Sequence, residues 1–221
     1  MDYPFKVIVD NWPALARGLL VTLEISLLSL ALSIVCGGLI GLMRVAPLSA
    51  LRPISAVYVE FFRNVPPLIH LFYIFFALPR IGIVLSGFTA GVLGLTIYHS
   101  AFVAEILRGG INAVSRSQMD AARALGLGYL DAMRYVVLPQ ALRVVLPPLG
   151  NLFISLVKTS SLVAAISAAD LMFESEVLNE RTFRAFEVFT FAGLVYLVIT
   201  YALGACLHAL EYRLARPGGM A

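Results

Sequence analysis

Few side chains in this sequence have chemistry to offer, and most of those stand inside apolar runs. Glu60 and Arg63 are three residues apart and share a helix face, with Asn64 beside them. Lys158, one of two lysines, is followed by Thr159, Ser160 and Ser161. Glu105 and Arg108 close a long uncharged stretch, and His70, His99 and His208 lie far apart. A lone histidine in such a run is more often a hydrogen-bonded structural residue than a ligand. This is a set for binding and not for bond-making. No GxxxxGK[ST] phosphate loop occurs, since Lys158 follows Val157 and Lys6 follows Phe5. No HExxH, GxSxG or dinucleotide fingerprint occurs either. Cys36 and Cys206 lack CxxC or Cys/His spacing and read as small buried hydrophobes. The chain therefore has no visible catalytic, metal or cofactor site of its own. Any pumping would draw energy from another subunit or from an ion gradient.

The elements that must hold these residues follow from composition. The 221 residues are 60% hydrophobic and 13% charged, where soluble domains carry about 25% charged residues. This predicts an all-α integral membrane protein folded as one domain over 1–221. The small net charge of +3 and the scattered arginines exclude a nucleic-acid binder. Uncharged stretches of roughly 20 residues suffice to cross a bilayer. They predict five transmembrane helices at about 19–43, 54–78, 83–107, 140–158 and 188–210. Gly37, Gly38 and Gly41 give the first a small-residue face for close helix approach. Pro66-Pro67 should bend or break the second, where Glu60 and Arg63 favour an intra-helix or gate pair. The fourth is short, contains Pro147-Pro148, and reads as broken or tilted with a polar far end. Ser160 to Glu187, with Asp170, Glu174, Glu176 and Glu180, should hold a short re-entrant or surface helix. The opening segment, with Tyr3 and Trp12, suits either a stretch at headgroup level or an unstructured tail. No basic region precedes an apolar run there, so the first span is expected to be its own insertion signal.

Cation counts orient the chain. One set of loops carries Arg44, Arg52, Arg108, Arg116, Arg123, Arg134, Arg143, Arg213 and Arg216. The other carries Lys6, Arg17, Arg80, Lys158, Arg181 and Arg184, with most of the acids. The positive-inside rule puts the richer set in the cytoplasm. The N-terminus is then outside and the C-terminus inside, and the loop 109–139 between spans three and four is cytoplasmic.

That loop holds SQMDAARALGLG, Ser117 to Gly128. Ser117 can cap a helix and Asp120 complete a capping box. Ala121, Ala122 and Ala124 favour helix and form a small flat face. Gly126 and Gly128 can end it with positive φ. YLDAMRYVVLPQA predicts a second short helix, ending at Leu138-Pro139.

The stretch from Gly109 to Leu162 resembles the permease subunits of binding-protein-dependent ABC importers. Their signature, EAA, three residues, G, nine residues, I-x-LP, is matched by Asp120-Ala121-Ala122, Gly126, Val136 and Leu138-Pro139. The polar amino-acid branch is resembled more narrowly. The matching pieces are TLEIS at 22–26, VEFFRNVPPL at 59–68, AEILRGGINAV at 104–114, QMDAARALGL at 118–127, LPQALRVVLPPLGN at 138–151 and LVKTSSL at 156–162. Asp120 replaces the motif's Glu, and Ser117 a usual Gly. The resemblance implies a multi-pass protein of the bacterial inner membrane that moves a polar amino acid inward. It implies two ABC ATPase subunits, which bind ATP and Mg, an extracytoplasmic amino-acid-binding protein, and a second permease subunit, identical or homologous. Ser117, Gln118, Asp120, Ala121, Ala122, Ala124, Leu125 and Gly126 would then be the helix gripped by the ATPase. A zwitterionic substrate needs a cation for its carboxylate and acceptors for its amine. Lys158 with Thr159, Ser160 and Ser161 would supply the first, and Glu60, Asn64 or Glu105 part of the second, with Arg63 nearby. Lys158 reads equally as a structural partner of Glu60 or as a snorkelling residue. An ion-driven secondary transporter is the alternative, disfavoured by an odd number of spans without internal repeat. A membrane scaffold would leave Glu60, Arg63 and Lys158 unexplained.

Overall fold

In a computed structural model of the chain, residues 5–46, 48 and 50–215 are described, with side chains to 212. All regular structure among them is helical. Helix α1 (Lys6–Asp10) leads into α2 (Trp12–Val45). Next come α3 (Leu51–Asn64), α4 (Pro67–Phe72), α5 (Gly87–Ala113) and α6 (Arg116–Ala124). The chain continues through α7 (Tyr129–Ala132), α8 (Leu138–Thr159), α9 (Leu171–Thr182) and α10 (Ala185–Ala215). Four stretches are long and apolar enough to cross a membrane: Trp12–Val45, Gly87–Ala113, Tyr129–Ile166 and Ala185–Tyr212. Leu51–Asn64 and Pro67–Ile81 make a fifth if counted together, and they meet at 102°. The Pro66-Pro67 break is therefore an elbow: Val65 turns extended, and Pro67 starts α4 where its missing N–H is not needed.

Helix α2 is built inside out. Its buried positions are Leu15, Gly18, Thr22, Ile25, Ser26, Ser29, Ser33, Gly37 and Gly41, mostly small and recurring every three or four residues, while Leu20, Leu27, Leu32, Val35 and Leu39 are exposed. From Ser29 to Gly41 the small stripe packs on α5. Ser29 and Ser33 donate to the carbonyls of Val92 and Thr96 at 3.3 and 3.2 Å. A Cβ on Gly37 would lie 2.5 Å from the Ser100 carbonyl oxygen, and one on Gly41 3.0 Å from that of Ala104. Lipid contacts leucine as well as protein does, so close backbone approach is what holds such a pair together. Gly38 departs from the expected face: nothing lies within 4 Å of where its Cβ would be. Cys36 and Cys206, expected buried, are exposed. At these two positions α2 and α10 face outward from the bundle.

Span four is not broken at its prolines. Helix α8 runs through Pro147 and Pro148 and gives way only at Ser160, to a 3-10 turn (Ser160–Ile166). It is also longer than expected. A π turn over Met133–Val137 joins α7 directly to α8, so no separate helix ends at Pro139. Pro139 falls in the first turn of α8, just after the wider turn has left i→i−4 pairing, and its missing N–H disrupts nothing there.

Helix α9 is not a detached surface helix. Leu171 and Leu178 join Val7, Ile8, Leu15 and Val188 in one core cluster, which also fixes α1. The opening segment from Lys6 onward is thus packed structure; Tyr3 lies outside the described residues. Beneath α9 sits Asp170, fully buried. Its Oδ1 accepts from Phe173 N at 2.9 Å as the helix cap. Its Oδ2 accepts from the Tyr196 hydroxyl at 3.2 Å and lies 3.5 Å from Thr22 Oγ1. Thr22 Oγ1 in turn accepts from Leu171 N at 3.1 Å. One carboxylate thus ties α2, α9 and α10 together, and burial pushes its pKa up to about 6 against those hydrogen bonds.

Candidate functional site

Helix α6 stands apart from the spans, and both its ends are closed. The N-terminal cap is Ser115, not Ser117: Ser115 Oγ accepts from Ser117 N at 3.4 Å and lies 2.7 Å from Ser117 Oγ. The chain leaves α5 at Val114 with extended φ/ψ and Ser115 follows in the same region, so the first serine after the break meets the free N–H groups. Asp120 accordingly takes no part in the cap. At the far end Gly126 has φ +87°. Gly126 N donates to Arg123 O at 3.0 Å and Leu127 N to Ala122 O at 3.2 Å, the paired closure that a left-handed residue permits. Gly128, expected to share this task, has φ −64°.

The exposed face of α6 differs from the expected alanine triplet. Ala122 is 3% exposed and packs inward. Ser117, Gln118, Asp120, Ala121, Ala124, Leu125 and Gly126 are exposed, with Leu125 at 85%. A bare leucine flanked by two alanines is an unpartnered knob. The inner side is anchored. Met119 packs on a cluster of Ile111 from α5, Met133 and Val137 from the π turn, and Ala141 from α8. Gln140 Nε2 donates to Gln118 Oε1 at 3.4 Å. The inner side of α6 is thus in contact with both α5 and α8.

The charged groups do not converge as expected. Glu105 bridges Arg44, the last basic residue of α2, at 3.0 Å, and Arg108, whose Nε donates to it at 3.0 Å. Oε2 holds α2 to α5 through Arg44, while Oε1 pairs with Arg108 within α5, so both oxygens already have partners. Glu60, Arg63 and Asn64 are exposed on α3. Glu60 and Arg63 form no ion pair: Arg63 reaches across to lie 5.2 Å over the Phe102 ring of α5. Glu60 is met by Asn64 Nδ2, 2.7 Å from its carbonyl and 3.4 Å from Oε2. Lys158 is exposed and unpaired with Glu60 among the described residues. Thr159, Ser160 and Ser161 donate to the carbonyls of Ser155, Val157 and Lys158. Those hydroxyl protons close the end of α8. Among the described residues no group of His, Cys, Asp or Glu could hold a metal ion.

Two functional-looking residues escape a reading of the sequence. Asp170 is hidden in an acidic stretch; its only distinguishing mark is an apolar run on either side. His70 lacks the hydrogen bond expected of it, and no sequence signal marks that.

A bundle of four or five spans, with exposed leucines along them and one short helix closed at both ends, defines a multi-pass membrane protein. Residues 13–216 match the family of binding-protein-dependent transport system inner membrane components, and the chain belongs to it. It is the permease subunit of an ABC importer, a translocation subunit of the bacterial inner membrane. The chain is 42% identical over 211 residues to the probable glutamine ABC transporter permease protein GlnM of Bacillus subtilis, covering 96% of this chain and 98% of that one. It is 35% identical over 216 residues to the glutamine transport system permease protein GlnP of Escherichia coli K12, covering 97% and 99%. A crystal structure of an amino acid ABC transporter with histidines superposes with a TM-score of 0.90 at 37% identity, covering 96% of this chain and all of that one. Nothing in these likenesses favours the ion-driven alternative.

Proposed function

We propose that this permease carries a polar amino acid inward, coupled through α6 to ATP hydrolysis in separate ATPase subunits. The observation that carries this is α6 itself: capped at both ends, apolar on its outer face at Ala121, Ala124 and Leu125, and seated on α5 and α8 through Met119. An ATPase cleft that takes up Leu125 would move α6 as a unit, because the cap and the Gly126 closure keep it from fraying. The Ile111–Met133–Val137–Ala141 cluster would pass that movement to two spans. ATP and Mg belong to the ATPase in this reading. An extracytoplasmic binding protein delivers the amino acid at the far side, and a second permease, a copy or a homologue, completes the pathway. The arginine distribution supports α6 facing the cytoplasm. The names of the relatives support the substrate class. Within the pathway we assign Lys158 to the substrate carboxylate, and Glu60 and Asn64 on the exposed face of α3 to its amine.

The test uses the transporter assembled with its ATPase. Ala121→Trp, at an exposed position, should fold normally, lose ATPase co-purification and abolish ATP-driven amino-acid uptake in proteoliposomes. Retention of both would refute the docking role of α6. Lys158→Met with unchanged substrate binding would remove the lysine from the pathway.

A further inference from the structure

Two cavities meet between the end of α2 and the start of α7. One, of about 450 Å³, is walled by Leu42 and Val45 of α2, Leu130 of α7, Met133 of the π turn and Leu138 of α8. The other, of about 420 Å³, lies on the inner side of α6, where Asn112, Ser115, Arg116 and Met119 line it. Val45, Tyr129 and Met133 line both, so the two adjoin. The Tyr129 hydroxyl donates to the Val45 carbonyl at 3.4 Å and fixes the wall they share. Each volume falls in the range of ligand clefts. Leu42 stands in the last turn of the uncharged run 25–43, which is about as long as the hydrocarbon core is thick. The apolar cavity therefore opens at the edge of the hydrocarbon, and the polar one lies beyond it, at headgroup level.

The charges around the pair are of one sign. Arg134 lines the apolar cavity and Arg116 the polar one, and no Asp or Glu lines either. A third arginine stands at the rim: Arg52 Nε donates at 2.7 Å to the carbonyl of Ala46, which lines the apolar cavity. Among the described residues none of these arginines has an acidic partner. Arg134 lies 5.4 Å over the Tyr135 ring instead. An uncharged lipid would fill the apolar half and leave the cations uncompensated. A free phosphate would pair with arginine and leave the leucine walls wet. An amphiphile with an anionic head satisfies both halves.

We propose that an anionic phospholipid occupies these cavities, with an acyl chain against Leu42, Leu130 and Leu138 and its phosphate at the polar end with Arg116, Asn112 and Ser115. Arg134 and Arg52 add positive potential along its path. The lipid lies between α2 and the inner side of α6, away from the exposed Leu125. The inference goes beyond the transport reading and holds whatever the substrate is.

The test is native mass spectrometry of the detergent-purified transporter, permease with ATPase subunits, titrated with dioleoyl phosphatidylglycerol or dioleoyl phosphatidylcholine. Wild type should bind the anionic lipid more tightly. Arg116→Gln and Arg134→Gln should each weaken its binding about fivefold, the scale of one basic residue beside an anionic lipid, and leave phosphatidylcholine unchanged. Leu130→Trp, at a position 78% exposed, should weaken both lipids by filling the apolar cavity. Arg143→Gln removes an exposed arginine of α8 that lines neither cavity, and it should change nothing. Wild-type phosphatidylglycerol affinity in the Arg116→Gln, Arg134→Gln double variant, or an equal loss in Arg143→Gln, would mean lipid held by surface charge alone and would overturn the inference. Unchanged binding in Leu130→Trp would overturn it too. If sn-glycerol 3-phosphate binds as tightly as the whole lipid, the site takes free phosphates and the inference falls. It falls as well if phosphatidylglycerol binds only after the ATPase subunits are stripped away, since the cavities would then belong to the ATPase interface.

Discussion

Asp170 gives the sharpest quantitative expectation. Its carboxyl is fully buried and its pKa rises from 3.8 to about 6, chiefly because burial disfavours the charged form. The folded protein therefore holds this proton more tightly than the unfolded chain does. Stability falls as pH rises from about 4 to about 6, because over that window the native state binds more protons than the unfolded one. Above pH 6 the full penalty of the buried charge is present. A shift of this size corresponds to about 3 kcal/mol, at 1.36 kcal/mol per unit. Asp170→Asn keeps an oxygen for Phe173 N and places an amide against the Tyr196 hydroxyl and Thr22 Oγ1, without a charge. Its stability relative to wild type should thus improve by about 2 kcal/mol between pH 4.5 and pH 7.5, the part of the shift that lies above pH 4.5. Thermal unfolding of both proteins in detergent at the two pH values gives this double difference and cancels every other titrating group. Asp170→Ala should be destabilised at both, since it removes the cap, worth about 1 kcal/mol, and leaves Tyr196 unpaired. A pH-independent difference between wild type and Asp170→Asn would refute the assignment of a buried titrating carboxyl at this junction.

The seam and the cap give two further tests. Gly37→Leu should cost about 1–3 kcal/mol by overpacking α2 against Ser100 and Val103, whereas Gly38→Leu, facing open space, should leave Tm unchanged; equal effects would mean that α2 turns a different face toward α5. Ser115→Ala should raise hydrogen exchange across 116–124 about fivefold, as loss of a cap worth about 1 kcal/mol requires, and Ser117→Ala should raise it less; the reverse order would restore Ser117 as the cap.

What is legible in the sequence is punctuation. Pro66-Pro67 marks the elbow, and Gly126 marks the end of α6, because missing donors and positive φ are local facts. The start of α6 reads two residues late because Ser115 and Ser117 are equally good caps in isolation. Only the exit from α5 at Val114 chooses between them. Facing is harder. In a soluble protein an apolar run points inward, but here lipid and protein are both apolar. Cys36 can therefore be taken as buried, and Gly38 counted with Gly37, without contradiction. Long-range partners leave no local trace. Arg44 and Glu105 are far apart in sequence, as are Thr22, Asp170 and Tyr196. Nothing near Glu105 or Asp170 tells a ligand-binding carboxylate from one that is already engaged.

The π turn at Met133–Val137 sets the angular phase between α6 and the span that follows it. A π turn is one residue more than the α-helix needs. Each helical residue advances the chain by about 100°. Deleting one residue there would let α7 and α8 run on as a regular α-helix, but would swing everything before it by roughly that angle. Leu125 would then point along a different bearing from the spans it is meant to drive. Length in this short connection is therefore constrained in whole residues even though its surface side chains are not. Insertions and deletions should be tolerated far less well here than substitutions.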